Sequence, residues 1–185
     1  MDLDERIIAY VSKARAGDKE AFGQLVTEFQ MRVFRVAYGI VGHREDAENI
    51  AQDTFVKAYR SISELKVDAT FYSWLMRIAA NTSINYKKSM HRQQFVPIDE
   101  ITEPIDLGET PEGAMERVQS NERVAALLNQ LSHEHRIVLA LRELGGFSYD
   151  EIAGILDIPL GTVKSRMNHG RDKLRRLVRK GGTKL

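Results

Sequence analysis

The placement of proline limits what this chain can fold into more than any other feature. Three of its four prolines, Pro97, Pro104 and Pro111, fall in one stretch, "MHRQQFVPIDEITEPIDLGETPEGA" (90–114). Proline fixes φ and removes a backbone donor, so helix interiors exclude it. The 89 residues before this stretch contain no proline and are open to long helices. The stretch itself keeps neither a period of 3.6 nor one of 2, and residues 90–113 carry one basic and six acidic side chains. Such a segment reads as an extended linker. The expected organisation is a first domain over 1–89, a flexible acidic linker over 90–113 and a second domain over 114–185.

On both sides the apolar spacing is helical. In "TFYSWLMRIAAN", Phe71, Trp74, Leu75, Ile78 and Ala79 fall at i, i+3, i+4, i+7 and i+8, one continuous stripe. "EFQMRVFRVAYGIVG" and "EDAENIAQDTFVKAYRSI" behave alike, and the first is apolar enough for the centre of a bundle. β-type alternation persists nowhere, so the expected fold is all-α, in two small helical domains. A hydrophobic content of 43% is enough for packed cores, and 29% charged residues suit a soluble protein. No apolar run approaches the ~20 residues of a membrane span. The opening "MDLDERIIAYVSKARAGDKEAF" lacks the basic-then-apolar layout of a signal peptide. With no cysteine there is neither disulfide nor thiolate metal site. A cytoplasmic protein is expected.

Within the second domain, "SYDEIAGILDIPLGTVKSRMNHG" (148–170) reads as two short helices around a tight turn. Ser148 and Glu151 make an S-x-x-E capping box. Asp157, Ile158 and Pro159 end the first helix near Leu156. A second helix from about Leu160 turns Leu160, Val163, Met167, Leu174 and Leu177 to the core. By subtraction Thr162, Lys164, Ser165, Asn168, His169, Arg171 and Asp172 face outward, with groups suited to base edges and phosphates in a major groove. From Gly161 onward there are nine basic residues to one acidic, as phosphate contact requires. The alternative is an ordinary helical hairpin with a solvated basic face. The amides and hydroxyls of the outward face favour DNA. A helix-turn-helix of this kind serves sigma factors and response regulators alike, so the first domain must decide between them.

"DAENIAQDTFVKAYRSI", "FYSWLMRIAANTSINYKK", the acidic linker and "LSHEHRIVLALRELGGFSYDEIAGILDIPLGTVKSR" follow one another in order. Over about residues 15–180 the chain resembles the bacterial sigma factors of the extracytoplasmic-function (ECF) group, which hold only sigma domain 2 and sigma domain 4. The resemblance implies that residues 46–60 dock on a coiled coil of the polymerase's largest subunits. Ile50, Thr54, Phe55 and Ala58 then pack inward, and Asn49, Gln52, Asp53, Val56, Lys57 and Arg60 face the polymerase. The loop from Ser61 to Thr70 and the helix after it would capture unwound -10 DNA. That task needs pockets for flipped bases, positive charge and aromatic stacking. Lys66, Tyr72, Arg77, Asn81, Lys87 and Lys88 are its candidates, with Tyr72 facing out and Phe71 and Trp74 in the core. In the recognition helix, Thr162, Lys164, Ser165, Asn168 and His169 would meet the -35 duplex, with Arg166 and Arg171 on phosphates. The chain departs from the family at Asn49, Asn85, Tyr86, Asn168 and His169. His169 stands where Arg is common and loses a bidentate guanine donor.

The implied function is that of an alternative sigma factor. It binds core RNA polymerase and promoter DNA, reading the -35 duplex and capturing the melted -10 strand. No catalytic constellation, cofactor or small-molecule substrate is expected, and no metal, since His133, His135 and His169 are scattered across different helical elements without thiolate or a paired-ligand motif. The linker, net −5 from its one basic and six acidic residues, would either follow the polymerase channel later used by RNA or serve as a solvated spacer. An anti-sigma factor, often membrane-bound, is the further partner the resemblance implies. Two rival classes remain distinguishable. A free-standing regulator would need a dimer interface, and a sequestering interaction protein would have no use for a base-reading helix.

Overall fold

In the computed structural model, residues 3–93 and 127–180 are described. The first lobe holds α1 (Leu3–Arg15), α2 (Lys19–Val41), α3 (Arg44–Ser61) and α4 (Phe71–Gln93), with 3-10 turns at Ile62–Glu64 and Asp68–Thr70 before α4. The second holds α5 (His133–Glu143), α6 (Tyr149–Leu156) and α7 (Leu160–Lys180). No strand occurs among the described residues, and the fold is all-α as expected. Helix α4 runs to Gln93, past the expected domain end at 89. The remainder of the expected linker, 94–113, lies outside the described residues.

Helix α2 forms the axis of the first lobe. Asp18 starts it, its carboxylate accepting from the Glu20 and Ala21 amides at 2.9 and 3.0 Å. Gly42 ends it in the left-handed region at φ +81°, where a side chain would be strained. Between them Leu25, Phe29, Val33, Val36, Ala37 and Ile40 are buried, as the apolar run implied. Around it, α3 buries Ile50, Thr54, Phe55 and Ala58, and α4 buries Phe71, Leu75 and Ala79. Each large side chain so buried contributes about 1.5–3 kcal/mol.

The second lobe builds the helix-turn-helix as the sequence indicated. Ser148 Oγ accepts from the Glu151 amide at 3.3 Å, and Glu151 returns a carboxylate oxygen to the Ser148 amide at 2.7 Å. The Ser148 amide and hydroxyl, each donating to that carboxylate at 2.7 Å, hold the Glu151 carboxyl below its ordinary value. Asp157, at φ +55°, makes the turn into α7, a conformation its short polar side chain tolerates.

The lobes pack against each other. Gly39 lets α5 approach α2: a Cβ there would stand 2.6 Å from Leu144 Cδ1 and 3.1 Å from Ala140 Cβ. Asn129 Nδ2 donates to the Gly42 carbonyl at 3.1 Å, and Arg136 Nη1 to the Ile40 carbonyl at 3.3 Å. At the other end of the contact, the Tyr72 ring lies between Phe29 and Phe147, with centroids 5.5 and 5.0 Å away. Over-packing a tight contact costs about 1–3 kcal/mol, so Gly39→Val is expected to part the lobes while the first lobe keeps its helicity. Small-angle scattering would register the larger radius of gyration; an unchanged radius would mean that α5 does not rest on Gly39 in solution.

Candidate nucleic-acid interface

The outward face of α3 carries all six expected docking residues. Asn49, Gln52, Asp53, Val56, Lys57 and Arg60 are exposed, over a helix whose opposite side is in the core. Val56 stands 49% exposed and Tyr59, which sequence reasoning passed over, 42%. Two large exposed apolar groups amid amide and charged neighbours make a surface fit for a protein partner. The Tyr59 ring meets Phe22 edge-on at 5.0 Å, which fixes its direction. Lys57 also holds the bundle together, donating from Nζ to Thr82 Oγ1 on α4 at 3.0 Å. Tyr86, one of the departures, joins the same two helices by donating its hydroxyl to Asp46. That bond pushes the Tyr86 phenol up to about 12.

The expected -10 residues divide into three groups. Arg77, Asn81 and Lys88 are exposed, spaced along one face of α4 with Asn85. Lys66 is exposed in the loop, which Arg15 ties to α1 through Asp68 at 2.6 Å. Beside this loop lies a cleft of about 310 Å³, bounded by Ile7, Phe29, Arg32, Asp68, Phe71 and Tyr72 but not by Lys66. Lys87 is half-buried; burial, then the nearby Arg136 guanidinium, holds its amine below the ordinary value. Phe71 is buried and Trp74 half-buried against the core, as expected.

Tyr72 is the first correction. It does not face solvent: its ring is covered by Phe147, and its hydroxyl donates to the Gly145 carbonyl at 2.9 Å. One side of the ring stacks on Phe29 of the first lobe's core, and the second lobe closes over the other side. Arg32 sits 5.6 Å above the same ring. Burial raises the phenol's pKa, partly offset by Arg32.

On α7, Lys164, Ser165, Asn168, His169 and Asp172 are exposed, and Thr162 is half-buried. Val163 and Met167 are buried beneath them, with Leu174 and Leu177 packed against the core. Two arginines require correction. Arg166 is half-buried and pairs with Glu134 of α5 at 3.2 Å. Arg171 donates to Glu143 at 2.9 Å and to the Tyr149 hydroxyl at 3.1 Å, and the Glu143 bond raises its pKa. Both leave α7 beside its apolar stripe, close enough to reach carboxylates on α5. In this state both guanidinium groups are engaged by carboxylates of α5. Lys164, Ser165, Asn168 and His169 remain exposed together on this face.

No helix among the described residues is long and apolar enough to cross a membrane.

Known proteins share this organisation. The family model of sigma-70 region 2 matches residues 25–93, and that of sigma-70 region 4 matches residues 121–174. The chain is 36% identical over 176 residues to the ECF RNA polymerase sigma-E factor of Haemophilus influenzae, covering 90% of this chain and 92% of the relative. It is 34% identical over 175 residues to the RNA polymerase sigma-H factor of Pseudomonas aeruginosa, covering 89% of each. Among solved structures, CnrH in complex with the cytosolic domain of CnrY superposes with a TM-score of 0.69 at 26% identity, over 95% of this chain and 98% of that one. The sigma factor RpoE of Bartonella quintana, in complex with the anti-sigma factor NepR, shares the fold with a TM-score of 0.67 at 24% identity, over 85% of this chain and 96% of that one. With the region 2 match on the first lobe, the region 4 match on the helix-turn-helix and relatives spanning both, the chain belongs to the ECF sigma factors of bacterial RNA polymerase.

Proposed function

We propose that the two lobes divide promoter recognition between named faces. As an ECF sigma factor the chain binds core RNA polymerase and directs promoter-specific initiation. In this reading Asn49, Gln52, Asp53, Val56 and Arg60 dock on polymerase, joined by Tyr59. Arg77, Asn81, Lys88 and Lys66 follow the melted -10 strand, and Lys164, Ser165, Asn168 and His169 read the -35 duplex. Tyr72 joins the -10 surface only once the second lobe has moved off it. The domain limits implied are 1–93 and about 121–185. The protein supplies positioning and leaves the chemistry to polymerase, and it acts in the cytoplasm. Linking the two DNA-binding lobes raises the effective concentration of one when the other is bound.

We further infer an anti-sigma partner that covers the docking face. CnrH, which shares this fold, was solved in complex with the cytosolic domain of CnrY, and that supports a protein partner for this chain.

The observation that carries this division is one patch: four polar side chains exposed together on α7 above a buried apolar stripe. Lys164→Ala and Asn168→Ala are each expected to lower -35 discrimination by about 1–3 kcal/mol, the value of one good base contact. Transcription from a promoter library with randomised -35 positions reads this out. An unchanged -35 preference in both variants would move the base readout off α7.

A further inference from the structure

Gly170 sits where α7 crosses α5. It is buried, and a Cβ there would come 2.7 Å from Leu139 Cδ1 and 3.3 Å from His135 Cβ. The absent side chain lets the helices approach until the rings of His135 on α5 and His169 on α7 have centroids 6.1 Å apart at 60°. His169 is exposed on the face that carries Lys164, Ser165 and Asn168, and His135 is half-buried behind it. The His135 ring is also held from its own helix. Its Nδ1 shares a 2.8 Å hydrogen bond with Ser132 Oγ, a hydroxyl that makes no cap bond to the helix it starts.

The groups around His135 are His169, Arg166 and Lys173 of α7 and Glu134 of α5, and Glu134 is already paired with Arg166 at 3.2 Å. Burial, then the His169 ring, holds the His135 imidazole below its ordinary value. A DNA phosphate against this face reverses the local field and favours the charged form. Resting on the assignment of the α7 patch to the -35 duplex, we propose that His135 is a positioning residue of that patch. It holds the His169 ring toward the duplex and takes up a proton as a backbone phosphate approaches. Engagement of the -35 element by this chain is therefore proton-linked.

The sign follows from linkage. Complex formation that takes up protons strengthens as pH falls. The gain begins at the bound-state value and levels off below the free-state one, which lies under the ordinary value of about 6.5. A gain of one unit in proton affinity on binding corresponds to about tenfold. An imidazolium placed on a phosphate also steepens the salt dependence, by about 0.9 in the logarithmic slope per contact.

Holoenzyme made from core polymerase and the full chain is titrated onto a promoter duplex taken from its own mapped starts, and onto a matched duplex with a scrambled -35 element. The titrations are run at two pH values either side of 6.5. Wild type is expected to prefer the intact -35 element by up to about tenfold more at the lower pH. His135→Gln and His169→Gln should each remove most of that gain, and the double variant no more than either. His169 is exposed, so its replacement leaves the fold intact, and the His135 ring resonance, followed by NMR in wild type, should titrate higher with duplex present. A His135→Gln holoenzyme with the wild-type pH profile overturns the proposal. Should scrambling the -35 element and Lys164→Ala both leave binding unchanged at either pH, the assignment of α7 has failed, and the proposal falls with it.

Discussion

Gln52→Ala combined with Asp53→Arg is expected to weaken assembly with core RNA polymerase by about 100-fold, the loss that follows when a central polar or charged anchor is removed and its charge reversed. Both side chains are exposed on α3, and neither packs in the core. The double variant should therefore melt at the wild-type temperature. Around them Val56 and Tyr59 supply exposed apolar area and Asn49 and Arg60 a polar margin, the ordinary anatomy of a protein-binding patch. Labelled chain titrated with core polymerase gives the affinity, and circular dichroism gives the stability. Normal affinity in the double variant would place the docking surface elsewhere.

Arg136→Ala should have the largest effect on stability, about 2–4 kcal/mol, because buried carbonyls lose a charged donor and gain no other. One guanidinium supplies the carbonyls of Leu128 at 3.0 Å, Asn129 at 2.6 Å, Leu131 at 3.0 Å and, across the lobe contact, Ile40 at 3.3 Å. Burial lowers its pKa, so the side chain is committed to these partners at a desolvation cost that only the full set offsets. Arg136→Lys should recover little, since an ammonium lacks the planar fork that reaches several carbonyls at once. Thermal unfolding measures the loss. A variant that melts like wild type would show that the turn before α5 is held by its leucines alone.

Most of the fold was legible because it depends on local rules. The stripe through Phe71, Leu75 and Ala79, the inward set Ile50, Thr54, Phe55 and Ala58, and the Ser148–Glu151 cap each follow from helical period or end chemistry. The same rules located the exposed faces of α3 and α7. They could not report what covers an outward face. Tyr72 stacks on Phe29 of its own lobe, and Phe147 and Gly145, more than 70 residues on, close over its other side. Arg166 and Arg171 likewise point off α7 and are then recruited by Glu134 and Glu143. The closeness of His135 and His169 depends on Gly170, whose meaning appears only when the helix it crosses is known. The expected linker beyond Gln93 lies outside the described residues, so its path stays an expectation drawn from charge and proline alone.

In vitro transcription is the most direct test of the whole assignment. Purified chain and sigma-free core polymerase are supplied with fragmented genomic DNA, and the transcript starts are sequenced. Discrete starts sharing spaced -35 and -10 motifs, absent with core alone and lost with the Gln52→Ala, Asp53→Arg chain, are the expected result. No starts above core alone, together with tight duplex binding in the absence of polymerase, would contradict it and identify a free-standing DNA-binding regulator.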